Sequence, residues 1–329
     1  MKKSTYFLFG ALLFVFSFPI LGNAQPLRGD VDCNGEVSIS DVAEVVNYLL
    51  RGTWSDGSTG GIDDMRGDVD FDGEVSIADV TELINYLLRG TWTDEQTACT
   101  RTYNVNGVDF TMIRVEGGSY MMGATAEQGS DAWDWEQPAH QVTLSSYCIG
   151  QTEVTQALWQ AVMGYNPSYF SGNLQYPVEK VSWNDCQLFI SRLNQLTGLC
   201  FRLPTEAEWE FAARGGNKTL GWKYSGGNDI DVVAWYIDNA GESTHQVATM
   251  SANELGLYDM SGNVWEWCED LYGTYPSTPQ VNPEGSATGS YRVYRGGGWN
   301  SSPRSCRVSY RFDRSPSAMY NNQGFRLAL

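Results

Sequence analysis

Apolar and polar positions divide the chain into stretches of different texture. Tyr6–Leu21 is an almost continuous apolar run behind Lys2 and Lys3, followed by the small residues Gly22, Asn23 and Ala24. This pattern predicts a secretory signal over 1–24, with Gln25 as the mature start. The run is too short and too early for a membrane-spanning helix, and no later stretch approaches the required length. No cysteine follows the run, so no lipid anchor is expected there. Helical spacing then appears twice. Val42, Val45, Val46, Leu49 and Leu50 fall on one face, as do Val80, Leu83, Ile84, Leu87 and Leu88. Two short helices packed through these faces are expected, because neither could bury a core alone.

Residues 93–109 read as a polar linker. Residues 110–329 are rich in tryptophan, glycine and tyrosine, with little helical periodicity. Two helices are legible. One starts at a polar Asn184/Asp185 cap and ends at Gly198. The other has Thr205 and Glu208 at capping-box spacing, with Gly215 and Gly216 as stop signals. Short strands and long loops make up the rest of a segment of about 220 residues, enough for one sizeable core.

The two helical segments belong to a sequence repeat: "RGDVDCNGEVSISDVAEVVNYLLRGTW" returns as "RGDVDFDGEVSIADVTELINYLLRGTW". Each copy places oxygen donors at alternate positions: Asp30, Asp32 and Asn34 in the first, Asp68, Asp70 and Asp72 in the second. Gly35 and Gly73 provide the sharp turn, Glu36 and Glu74 a backbone carbonyl, and Asp41 and Asp79 the closing carboxylate. Calcium takes six to eight hard oxygens from such a loop. Cys33 replaces Phe71 within the first loop and is not a ligand, since calcium avoids sulfur.

The formal charge is −18, and −20 once Lys2 and Lys3 are removed with the signal. So acidic a surface repels phosphate backbones and argues against nucleic acid. His140 and His245 are the only histidines, which excludes a three-histidine metal site. HExxH and GxSxG are absent, as is any CxxC. Export permits disulfides among the seven cysteines, and the odd number leaves at least one without an intrachain partner.

Residues 28–92 resemble a type I dockerin, a small all-α module. That resemblance implies calcium and a cohesin-like partner; the predicted signal implies export to the periplasm, the cell surface or the outside. Two departures are visible: a long glycine-rich linker between the copies, and Ile39-Ser40 and Ile77-Ala78 where cohesin-contacting hydroxyl pairs are typical. "MIRVEGGSYMMG", "EVTQALWQAVM", "PVEKVSWND", "RLPTEAEWEFAARGG", "GLYDMSGNVWEW", "YRVYRGGGW" and "NNQGFRLAL" resemble, in order, the formylglycine-generating enzyme (sulfatase-modifying factor) family over residues 110–329. The implied fold is α+β, a complex formylglycine-generating-enzyme and C-type-lectin-like architecture with little regular secondary structure.

The family's calcium site falls on the carboxylates of Asp259 and Glu266 and the carbonyls of Gly262 and Val264. A second site would begin at Asn239 and Ala240, but its acidic loop is shortened to "GESTHQ". The family's oxidase holds copper(I) between two cysteines. One matches Cys306; the other falls at Ser301, a poor copper(I) ligand. Gly298 also stands where the family has an active-site serine. Cys306 is thus the candidate catalytic thiol if copper chemistry survives, and otherwise a packed cysteine or half of a disulfide with Cys268. Cys148, Cys186 and Cys200 read as core cysteines, with Cys99 free to pair at a distance. The arginines Arg304, Arg307, Arg311, Arg314 and Arg326 either pair internally with carboxylates such as Glu266 or Asp270, or line a groove. Trp265, Trp299, Arg304 and Arg307 would form such a groove for a peptide or glycan ligand. The stretch from Trp299 to Gly324 also resembles the variable regions of lectin-fold proteins diversified by retroelements. The sequence favours a binding or assembly role; a formylglycine-generating oxidase acting on a sulfatase cysteine is the alternative.

Overall fold

The computed structural model describes residues 31, 38–51, 75, 77–89 and 100–329. The predicted signal, Cys33, Cys99 and the loop residues Asp30, Asp32, Asn34, Glu36, Asp68, Asp70, Asp72 and Glu74 lie outside the described residues.

The repeat forms helices α1 (Ile39–Arg51) and α2 (Ile77–Arg89). Val42 and Val45 of α1 meet Val80 and Leu83 of α2, with Val31 closing the cluster. Asp41 and Asp79 are fully buried in the first turns, where a carboxylate meets the positive end of the helix dipole. The Asp41 carboxylate accepts the backbone N–H groups of Val31 and Ser38, each at 2.7 Å. The expected apolar faces pack only in part. Leu49, Leu50, Ile84 and Leu87 are exposed, Leu50 by 78%. Two 13-residue helices share one narrow seam, so the outer part of each apolar stripe has no partner within the pair.

In the large domain, strands β1 (Thr100–Val105) and β2 (Val108–Val115) form a hairpin. Its turn residues Asn106 and Gly107 have φ of 52° and 83°, as a two-residue type I′ turn requires. Strands β3 (Gly118–Met122), β4 (His140–Leu144) and β5 (Tyr147–Gly150) follow. Next come helices α3 (Gln156–Met163), α4 (Trp183–Thr197), α5 (Glu206–Ala213) and α6 (Ile230–Val233). The C-terminal part holds β6 (Trp265–Leu271), β7 (Gln280–Val281), β8 (Arg292–Arg295), β9 (Arg311–Arg314) and β10 (Gln323–Gly324). Three small sheets result, ordered β1-β2-β5, β3-β4-β7 and β10-β6-β8-β9.

The α4 cap is Ser182, two residues before the expected Asn184/Asp185 pair. Its hydroxyl accepts from Asp185 N while the Asp185 carboxylate accepts from Ser182 N. Gly198 closes α4 in the left-handed conformation, and Thr205 with Glu208 boxes α5, both as the sequence predicts. Helix α3 carries no comparable polar signature beyond its Thr155 cap and is held by burial of Leu158 and Trp159. Trp159 stacks on Phe189 of α4 at 5.1 Å, and Phe325 meets both rings edge-on.

With so little regular structure, buried ion pairs tie distant segments together. Glu206, at the start of α5, accepts from Arg295 of β8 and Arg311 of β9. Glu210, one turn on, also accepts from Arg295. Glu136 holds Arg307 in a bidentate pair, with both side chains fully buried. Burial alone would raise the Glu206 carboxyl; Arg311 and Arg295 outweigh it and hold the group below its ordinary 4.5.

Removing one partner of such a pair leaves the other charge buried. Glu206→Gln should therefore cost the large domain about 3–5 kcal/mol in denaturant unfolding. The native pair contributes fully above pH 4.5 and is lost as pH falls through the lowered folded value. The deficit of the variant should accordingly shrink in acid, and a deficit constant down to the acid transition would contradict the assignment.

Candidate functional site

The period of two along β9 sends alternate residues to opposite faces. Arg311 turns inward to Glu206, while Phe312 and Arg314 line a cavity of about 450 Å³. Tyr294 of β8, paired in register with Phe312, and Trp265 at the start of β6 supply two more walls. The loop after β8 brings Asn300, Ser301, Ser302 and Ser305, and the loop before β10 brings Tyr320, Asn321 and Asn322. No carboxylate lines this cavity.

Of the four groove candidates, Trp265 lines the cavity. Trp299 sits nearby in the chain, its indole N–H donating to Asn321 O at 3.0 Å and its ring edge-on to Phe170. Arg304 turns away: its guanidinium lies 3.5 Å from the Trp133 ring centre and donates to the carbonyls of Asp131 and Ala132. Arg307 does not reach the groove at all, because Glu136 holds it in the interior. Arg326 is likewise paired, with Glu266. Arg314 is the arginine that faces the cavity; the strand alternation around it was the signal available in the sequence.

Cys306 is fully buried among Tyr224, Val233, Ala234 and Tyr236. Its Sγ packs against Gly297, where a Cβ would approach within 2.7 Å, so this tight contact needs glycine. Burial pushes the thiol up to about 12, far from the thiolate that binds copper(I) or attacks a substrate. Ser301 instead lies on the cavity wall, its hydroxyl accepting from Gly298 N at 2.9 Å. The expected Cys268–Cys306 disulfide does not form. Both thiols are free, with Cys268 in a separate apolar cluster beside Trp209. Cys186 is free as well, but Cys200 is disulfide-bonded rather than a plain core thiol.

Asp259 and Glu266 meet in a buried cluster that also contains Glu153 and Arg326. Glu153 accepts from Asn263 Nδ2 and Val264 N. Glu266 accepts two bonds from Arg326, both at 2.6 Å, and one from the Trp209 indole at 2.7 Å. Three of its roughly four lone-pair positions are thus taken. One oxygen of Asp259 accepts from Ala248 N at 2.7 Å, while the other is buried with no partner. Burial raises Asp259 to about 6; burial, Asp259 and Glu266 together raise Glu153 well above the carboxylate range. Ionised, three carboxylates face a single guanidinium, so the cluster lacks positive charge. Among the described residues no group of three or more His, Cys, Asp or Glu side chains is arranged to hold a metal ion, so an ion here would depend on carbonyls as well. At the second family position, Asn239 spends its amide on Tyr236 N and Ala234 O, and His245 Nε2 lies 2.7 Å from Ala240 O. Glu153 carries no sequence signal that distinguishes it from a surface acid.

Comparison with known proteins places this geometry in a family. The model of the sulfatase-modifying factor enzyme 1-like domain matches residues 102–329, and that of the dockerin type I domain matches residues 28–88. The chaperone protein LppX of Paenibacillus barcinonensis is 33% identical over 70% of this chain and 93% of its own length. The formylglycine-generating enzyme of Streptomyces coelicolor is 30% identical over 66% of this chain and 88% of its own. The inactive Cα-formylglycine-generating enzyme 2 of Mus musculus is 28% identical over 70% and 89%. Among solved structures, Treponema denticola variable protein 1 superposes with a TM-score of 0.65 and 35% identity, covering 70% of this chain and 99% of that one. These likenesses include active and inactive proteins on one formylglycine-generating-enzyme-like, C-type-lectin-like fold. With a domain match that spans well over half its length, the chain belongs to the sulfatase-modifying factor family and carries a dockerin type I domain ahead of that domain.

Proposed function

We propose that this is an exported, calcium-binding protein whose large domain binds a ligand in the cavity beside Ser301 and performs no copper oxidase chemistry. The enclosure of Cys306 carries this reading. A two-thiolate copper(I) site needs a pair of accessible soft ligands. Here one position is a hydroxyl, and the remaining thiol is buried, protonated and turned away from the cavity. The residues present do not fit copper(I). The similarity to an inactive mouse protein accords with such a loss. The alternative, a formylglycine-generating oxidase acting on a sulfatase cysteine, draws on the similarity to the Streptomyces coelicolor enzyme.

Calcium would occupy two kinds of site. Dockerin type I loops supply one, closed by Asp41 and Asp79. In the large domain, the partnerless oxygen of Asp259 and the shortage of positive charge around Glu153 and Glu266 suit a divalent cation. The carbonyls of Gly262 and Val264 would complete its ligands, and Glu266 would share its last lone pair. The exposed Ile39, Leu50, Ile77 and Ile84 give the dockerin module an apolar surface suited to a cohesin-like partner. Through it the large domain would be tethered in an assembly at the cell surface or outside the cell. No helix among the described residues is long and apolar enough to cross a membrane.

Mature protein loaded with copper(I) and given oxygen and a sulfatase-motif peptide should leave the peptide cysteine unchanged by mass spectrometry, beside an active two-cysteine relative. Conversion that disappears on Cys306→Ala would overturn the binding reading. Asp259→Asn should remove one calcium ion per chain by atomic emission on dialysed protein while the dockerin-bound ions remain. Unchanged stoichiometry would refute the large-domain site.

A further inference from the structure

The charge arrangement around the cavity narrows the class of ligand. Arg307, Arg311 and Arg326 each close on a buried glutamate, so their charge is neutralised within the fold. Arg314 differs: it is exposed, lines the cavity, and takes part in no ion pair among the described residues. Its guanidinium carbon lies 5.5 Å from the Phe312 ring centre and 5.7 Å from that of Tyr320. Aromatic faces at such distances hold a guanidinium without neutralising it. The lining contains no Asp or Glu, although the protein as a whole carries a formal charge of −18. The cavity is thus a locally positive spot on an acidic molecule.

The rest of the lining is hydrogen-bonding and aromatic. Asn300 and Asn322 are bonded to each other at 2.9 Å, and Gln323 accepts from Tyr320 N at 3.1 Å, so their amides are held in fixed directions. Serine hydroxyls and further aromatic walls surround them. Fixed amides and hydroxyls match a ligand rich in hydroxyl groups, and aromatic faces stack on the apolar face of a sugar ring. The planar fork of Arg314 suits a carboxylate, which it can bind through two parallel bonds. A volume of about 450 Å³ lies at the size of a small-molecule site. The absence of paired carboxylates in the lining leaves no acid and base for glycoside cleavage, so the site would hold the sugar without cutting it.

Building on the ligand-binding reading above, we infer that the cavity beside Ser301 receives a carboxylate-bearing sugar residue, a uronic acid unit, with Arg314 as its anchor.

The full mature protein is titrated by calorimetry with glucuronate, with glucose, and with trialanine as a carboxylate lacking sugar hydroxyls. Glucuronate should bind at least tenfold more tightly than either of the others. Arg314→Gln should weaken glucuronate about 10- to 100-fold, the loss of a charge-assisted pair, and leave glucose unchanged. Arg314→Lys should restore part of the difference. Equal binding of glucuronate and glucose, unaffected by Arg314→Gln, would overturn the acidic-sugar assignment and leave the binding reading standing. Tighter binding of trialanine would replace the sugar with a peptide terminus. Absence of binding by all three probes at millimolar concentration would overturn the inference; loss of the binding reading itself would require peptide oxidation in the copper assay.

Discussion

The large domain depends on arginine–glutamate pairing inside a fold with few long elements. Its strands run from two to eight residues, and regular hydrogen-bond ladders cannot alone hold them in register. Glu206 and Glu210 on one short helix grip Arg295 and Arg311 on two strands. Glu266 on β6 grips Arg326 near the C-terminus, and Glu136 grips Arg307. A buried ion pair gains little against an apolar pair of the same shape, but it is intolerant of a wrong partner. That intolerance fixes which loop lies against which strand, where the backbone itself leaves many choices.

The same pairing explains how the site is divided. Of the arginines that look like one basic row in the sequence, Arg307, Arg311 and Arg326 close on separate glutamates and Arg304 turns to backbone carbonyls, while the strand alternation leaves Arg314 facing the cavity. Cys306 follows the same logic in apolar form. Gly297 lets the chain approach its sulfur, the surrounding tyrosines and valine close over it, and the thiol becomes packing material. Ser301, five residues earlier, stays on the cavity wall, its hydroxyl accepting from Gly298 N. One short loop thus buries a residue of potential redox chemistry and presents a polar one.

The acidic cluster around Asp259 is the counterpart in negative charge. Glu153 reaches it from the start of the α3 segment, and Arg326 from the end of the chain. The opposing charges are unequal, so this cluster calls for protonated carboxylates or a cation. In contrast, the Glu206 and Glu136 sites are balanced by guanidinium groups and need nothing added.

Local signals carried several features directly. Thr205 and Glu208 announce α5, and Gly198 ends α4, because caps are decided within one turn of backbone. The duplicated loops and helical spacing announce the small N-terminal unit, since the period of a helix is written in adjacent residues. The ordered motifs announce the family. What they could not fix was burial: Leu49, Leu50, Ile84 and Leu87 share the helical period of Val45 and Leu83 yet remain outside. Nor could they choose partners. Which glutamate takes which arginine, that Cys268 and Cys306 stay apart, and that Arg314 rather than Arg307 meets the cavity are long-range matters. Ion pairs and disulfides form between residues whose separation in the chain is unrelated to their distance in space, so only the tertiary structure decided them.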